Sequence, residues 1–120
     1  MGKCKEFSIN LAVLAPSNKR QFSFGMMRAC MDDNTPLYAM IFVLRDLING
    51  EFQDRVKVRV TLGPAFNDKA EALMKRGLTS AQLDFLQGPL TSRVNRLQPS
   101  GTEISNDARM NQLGTQLLQQ

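Results

Sequence analysis

The first regular pattern in the chain is an alternation with period two. Phe7, Ile9, Leu11, Val13 and Ala15 are apolar at every second position, with Ser8 and Asn10 among the polar residues between them, as a half-buried strand requires. Pro16-Ser17-Asn18-Lys19 supplies turn chemistry, and Phe22, Phe24 and Met26 then alternate with Gln21, Ser23 and Gly25. The pair predicts a β-hairpin with a four-residue loop. Setting Ala15 opposite Arg20 brings Val13 to Phe22, Leu11 to Phe24 and Ile9 to Met26, which lays one apolar face along another.

A different pattern comes next. Asp32, Asp33 and Asn34 precede Thr35 as an N-cap and Pro36 as a first helical residue. The run from Leu37 to Leu44 is wholly apolar, and Gly50 stands where a helix would stop. This predicts a helix that is apolar on every side and therefore needs cover both from a sheet and from something else. The segment DRVKVRVTL, residues 54–62, returns to period two, with Val56, Val58, Val60 and Leu62 on one face and Arg55, Lys57, Arg59 and Thr61 on the other. Gly63-Pro64 ends it. Asn67 opens a short helix to Arg76, Thr79 and Gln82 form a capping box for another, and Gly88-Pro89 stops that one. Residues 90–97 show no clear period. Gln98 to Thr102 reads as a linker, and Met110, Leu113, Leu117 and Leu118 mark an amphipathic tail helix.

Together these elements predict an α+β fold: a three-stranded antiparallel sheet in ββαβ order, one buried apolar helix, and two or three short C-terminal helices packed mainly on one face. Residues 1–97 form the expected compact domain, and residues 98–120 the linker and tail helix, suited to an oligomerisation arm. At 120 residues the chain is sized for one core. Its longest apolar run, eight residues, is far below the ~20 that span a bilayer as a helix. Glu6, Ser8 and Asn10 interrupt the N-terminal stretch where a secretory leader would be continuous, so the expected location is cytoplasmic and reducing. The hairpin register agrees, because it sets Cys30 opposite Lys5 and turns Cys4 to the other face. Two reduced thiols are expected. The seven methionines read as core filling.

Charge narrows the functional classes. Residues 1–53 carry six basic and five acidic side chains, residues 54–97 eight and four, and residues 98–120 one and two, so the net +4 arises from the middle segment. Such a surplus is an argument about partners. Arg55, Lys57 and Arg59 stand in a row about 6.6 to 6.8 Å apart along a strand, a spacing suited to successive phosphates. Lys75, Arg76, Arg93 and Arg96 are candidate extensions of that surface. Small uncharged neighbours, Ser8, Asn10, Gln21 and Ser23, leave room for a backbone to approach, while Phe7, Phe22 and Phe24 face the core and are not placed to stack on bases.

Chemistry points away from catalysis. Histidine is absent, and with it the commonest general base and metal ligand. No phosphate-binding glycine loop comes after a strand, and the residue two before Lys57 is Arg55 rather than the acid of a magnesium-dependent nuclease triplet. Asp32 and Asp33 read as helix-start electrostatics in place of a metal pair. In outline, residues 55–86 resemble a ribbon-helix-helix DNA-binding unit, in which a polar strand enters the major groove above two helices. They depart from it where Gly88-Pro89 cuts the second helix short. The expected function is non-catalytic, cofactor-free binding of RNA or DNA through the basic strand face, by a homodimer or larger homo-oligomer. The alternative is a self-assembling structural or adaptor protein of viral or phage type, with subunit contacts through the apolar helix and the tail.

Overall fold

The structure is a computed structural model and describes residues 2–120. Its centre is a five-stranded mixed sheet in the order β1 (Phe7–Ser17), β2 (Arg20–Cys30), β3 (Pro36–Ile48), β4 (Glu51–Thr61), β5 (Glu103–Ser105). The first four strands form an antiparallel meander, and β5 runs parallel to β4. A 3-10 turn, Pro64–Phe66, leads into α1 (Asn67–Arg76). Beyond it come α2 (Ser80–Phe85), a π-turn at Leu86–Leu90, α3 (Thr91–Asn95) and, after β5, α4 (Ala108–Leu118).

The expected three-stranded sheet with a buried apolar helix is therefore wrong, and the error lies in one segment. Residues 36–48 are a central strand. Tyr38, Met40, Phe42 and Leu44 enter the core beneath the helices, while Ala39 and Val43 are buried on the opposite face. A strand buried on both sides reads as a continuous apolar run, which periodicity cannot separate from a buried helix. Pro36 is tolerated because it begins the strand. Gly50 is no helix stop. Asn49 and Gly50, with φ of 52° and 82°, make the two-residue turn between Ile48 and Glu51, the positive-φ pair that Asn-Gly supplies in hairpins. Asp32 and Asp33 accordingly sit in the β2–β3 connection. There the Thr35 backbone N–H donates to Asp33 Oδ1 at 3.1 Å. Hydrogen bonds from the Thr35 side chain and backbone hold the Asp33 carboxyl below the ordinary carboxylate range.

The first hairpin keeps the expected register from Phe7 to Asn10, where Ile9 faces Met26. A bulge then intervenes between Asn10 and Ala12, so that Ala12 faces Phe24 and Leu14 faces Phe22. One extra residue inverts the faces beyond it: Leu14 packs on the core, and Val13, expected inside, is exposed. The turn is also tighter than expected, with Ser17 opposite Arg20.

All the helices pack against one face. Phe22, Phe24, Met26, Met40, Phe42, Val56, Val58 and Val60 form one cluster with Leu73, Leu86, Leu90, Val94, Met110, Leu113 and Leu117. The tail helix thus buries its apolar stripe within its own chain, and Gly114 brings it so near the sheet that a Cβ there would lie 3.1 Å from Met40 Sδ. Thr79 and Gln82 form the expected capping box. Gly88-Pro89, however, does not stop the helix. Pro89 has no N–H to donate, and the chain widens into a π-turn in which the Thr91 hydroxyl donates to the Leu86 carbonyl at 2.7 Å.

Cys4 and Cys30 are joined by a disulfide, with Cα atoms 5.9 Å apart. The expectation of two reduced thiols fails because Cys4 precedes β1 and is not bound by strand alternation. The Cys4 backbone N–H donates to Asn34 Oδ1 at 2.6 Å, which draws the N-terminal segment across the end of β2. A disulfide is atypical of a reducing cytoplasm. No helix among the described residues is long and apolar enough to cross a membrane.

Candidate nucleic-acid interface

Packing all helices on one side leaves the other face of the sheet bare among the described residues. Strand alternation decides what stands there. On β4, burial of Val56, Val58 and Val60 against the helices turns Lys57 and Arg59 to the bare face. On β3, Ile41, Val43 and Arg45 share that face, and β1 and β2 contribute Ser8, Asn10, Ser23 and Gly25. Together these side chains outline a trough of about 470 Å³. Its floor is low. Ser23 donates to Asn10 Oδ1 at 3.5 Å, and Gly25 admits no side chain, since a Cβ would meet the Ile9 carbonyl oxygen at 2.9 Å.

The expected row of three cations is broken. A second bulge falls in β4 between the pairs Leu44–Val56 and Arg45–Asp54, which leaves Arg55 as the extra residue. Arg55 Nε lies 3.7 Å from Asp46 Oδ2, and Asp46 alternates with Leu44 on the helix side. There Arg20 grips Asp46 in a two-pronged contact, Nε to Oδ1 at 2.6 Å and Nη2 to Oδ2 at 3.0 Å. The Arg20 hydrogen bond holds the Asp46 carboxyl below the ordinary carboxylate range, with the Arg20 and Arg55 charges adding to it against partial desolvation. The same bond raises the Arg20 pKa. Arg20 Nη1 also donates to Asn95 Oδ1 at 3.2 Å, which ties the sheet to α3.

The remaining expected cations lie in the helical layer, across the sheet from Lys57 and Arg59. Lys75 pairs with Glu71 one turn away at 3.2 Å. Arg76 donates to Gln82 Oε1 and to the Gly77 carbonyl. Arg93 contacts Asp107 Oδ2 at 3.1 Å, while Asp107 Oδ1 accepts from the Met110 N–H and caps α4. Arg96 is exposed at the end of α3. These four do not join the strand cations in one surface.

Three charged residues of the bare face are absent from the expected site. Arg45 falls within the segment whose pattern predicts a helix, although its spacing from Val43 and Ile41 places it on the trough once the segment is a strand. It pairs with Asp54 at 2.7 Å. Glu103 lies on β5, three residues with no readable period. Its carboxylate forms ion pairs with both strand cations, Arg59 Nε at 3.3 Å and Lys57 Nζ at 4.0 Å. The bare face thus holds three cations and two carboxylates in solvent-screened pairs. β3 lies on one side of β4 and β5 pairs with its Lys57–Arg59 stretch on the other, so these basic residues are not on a free strand edge such as the intermolecular ribbon of a ribbon-helix-helix protein requires. No protein-family model, no curated protein and no solved structure matches the chain.

Proposed function

We propose that the protein binds the sugar-phosphate backbone of a nucleic acid across the bare face of its sheet, without catalysis. One observation carries this reading: Lys57, Arg59 and Arg45 rise beside a low floor of Ser23, Gly25 and Asn10 with no helix above them. A phosphate entering the trough exchanges with the carboxylates of Glu103 and Asp54. Such exposed ion pairs contribute only about 0 to 1 kcal/mol each, so the exchange is inexpensive. Arg55, Lys75, Arg76, Arg93 and Arg96 take no part in this surface.

The test is a salt titration with single-stranded RNA, single-stranded DNA and duplex DNA. Replacing Lys57 and Arg59 together by alanine is expected to weaken binding to every sequence. It should also reduce the slope of log K against log salt by about 1.4 for single strands and about 1.8 for duplex, the loss of two phosphate contacts. Arg96→Ala serves as the control and leaves the slope unchanged. An unaltered slope in the double variant, or no binding by the wild type at low salt, overturns the proposal. A self-assembling structural protein is the second reading, favoured by the exposed apolar side chains of β1.

A further inference from the structure

The two edges of the sheet are treated differently. On one side β5 pairs with the Lys57–Arg59 stretch of β4, where Lys57, Arg59 and Glu103 place charges along the edge. On the other, among the described residues nothing pairs with the outer edge of β1. That edge is eleven residues long and contains no charged side chain, and it exposes Phe7 at 44%, Ile9 at 39% and Val13 at 50%. Natural edge strands are normally blunted by inward charges, lysines or a covering segment. Here the bulge at Leu11 and Pro16 spoil only the later half, and Phe7 to Asn10 stays in regular register with β2.

We infer that β1 pairs antiparallel with β1 of a second copy of this chain, about a two-fold axis at Ile9. The residue pattern is self-complementary in that register. Ile9 faces Ile9 of the second copy and Phe7 faces Leu11, all on the helix side, where Ile9 lies opposite the buried Met26 and Leu11 packs on the core. Ser8 faces Asn10 on the trough side. An antiparallel pair of identical strands is isologous, so each contact occurs twice. With no charge in the strand, no like charges meet. Moving the axis to Asn10 would set Phe7 against Val13, which beyond the bulge is paired with Ser23 and lies on the trough side.

The helical layer leaves room for this pairing. Phe7 and Ile9 stay more than a third exposed on that side, with the Arg28 guanidinium 4.6 Å from the Phe7 ring centre. The pairing joins two sheets into one of ten strands with both helical layers on one side and both troughs on the other. Subunit contact thereby moves away from the segments where it was expected, since the apolar run is the central strand β3 and the tail helix packs in its own core. Contact through one strand falls short of the ~800 Å² per partner of a tight interface. The association is accordingly reversible and concentration-dependent.

Sedimentation or light scattering on nucleic-acid-free protein, from micromolar to near-millimolar concentration, tests the inference independently of any binding activity. The expected mass rises from 13.4 kDa towards twice that value. Ile9→Lys and Ile9→Glu each remain monomeric, because like charges then meet at the two-fold axis. Their equimolar mixture dimerises again, because opposite charges meet there. Matching circular dichroism spectra and melting curves for the variants establish that the fold is retained. A wild type that stays monomeric throughout, dimers that persist in both single variants, or a mixture that fails to recover overturns the assignment. If the wild type stays monomeric alone but captures a strand from another protein, the edge serves a foreign partner and the inference is likewise overturned.

Discussion

Replacing both cysteines by serine is expected to cost the protein a large part of its stability while leaving its sheet intact. The bridge joins residues 26 positions apart. Closing a loop of that length in the unfolded chain removes roughly 12 cal/mol/K of entropy, about 3.5 kcal/mol at room temperature. Against the roughly 5 to 15 kcal/mol typical of whole domains, that is a substantial share. The expected loss is somewhat smaller, about 2 to 3.5 kcal/mol, because the β1–β2 hairpin keeps its ends near one another even in a partly unfolded chain. The assay is urea unfolding of three samples: oxidised wild type, wild type held in reductant, and the Cys4→Ser/Cys30→Ser variant. The latter two should coincide. Agreement of all three within about 0.5 kcal/mol, or two free thiols in the unreduced native protein, would refute the reasoning. A stable reduced wild type beside an unstable variant would trace the loss to the serines themselves and not to the bridge.

Two further outcomes are expected from the core and its flanking ion pairs. Leu117→Ala should destabilise the isolated chain by about 2 to 5 kcal/mol, measured by urea unfolding, since Leu117 is wholly buried between α4 and the sheet. A loss under about 0.5 kcal/mol, small against the usual cost of emptying a buried leucine site, would mean that the tail helix is not docked. Stability should also fall with acid through Asp46. Its carboxyl is held below its ordinary value in the folded chain, so the unfolded chain binds the proton more readily. The contribution is present above the ordinary aspartate value near 3.8 and disappears as pH falls through the lowered one. In Asp46→Asn this part of the acid dependence should vanish, and an unchanged profile would place the sensitivity elsewhere.

Particular residues explain why some of this architecture is readable from the chain and some is not. The β4 segment is legible because its two faces meet different solvents, so valine and cation alternate. The β3 segment is illegible by the same logic, since apolar side chains stand on both of its faces from Leu37 to Leu44 and the contrast that reveals a strand is missing. A local signal for it does exist, the Asn49-Gly50 pair between two apolar runs, which competes with the reading of Gly50 as a helix end. Bulges escape detection because one inserted residue leaves the composition unchanged while it exchanges the faces. That is why periodicity puts Val13 and Arg55 on the wrong sides. Of the expected binding cations, Lys57 and Arg59 share the bare face. The others are separated from them by a third dimension that charge counting lacks. Glu103 has no legible signal, because three residues paired at the sheet edge carry no period.

The order of the meander also bears on how the chain acquires its shape during synthesis. Strands β1 and β2, the turn between them and both members of the bridge lie within residues 4–30, so the pairings and the bridge of this unit are local, although a lone hairpin is only marginally stable until later segments cover it. Hairpins close in microseconds, whereas a ribosome adds about 5 to 20 residues per second. The early unit therefore waits a long time, on the molecular scale, for the rest of the polypeptide. Phe22, Phe24 and Met26 stay uncovered until the segments bearing Leu73, Leu86 and Leu117 emerge, the last of these from the final turns of the final helix. The nascent hairpin thus carries one greasy side and one unguarded margin, and a chaperone that shields that side serves it best in the interval before α4 arrives.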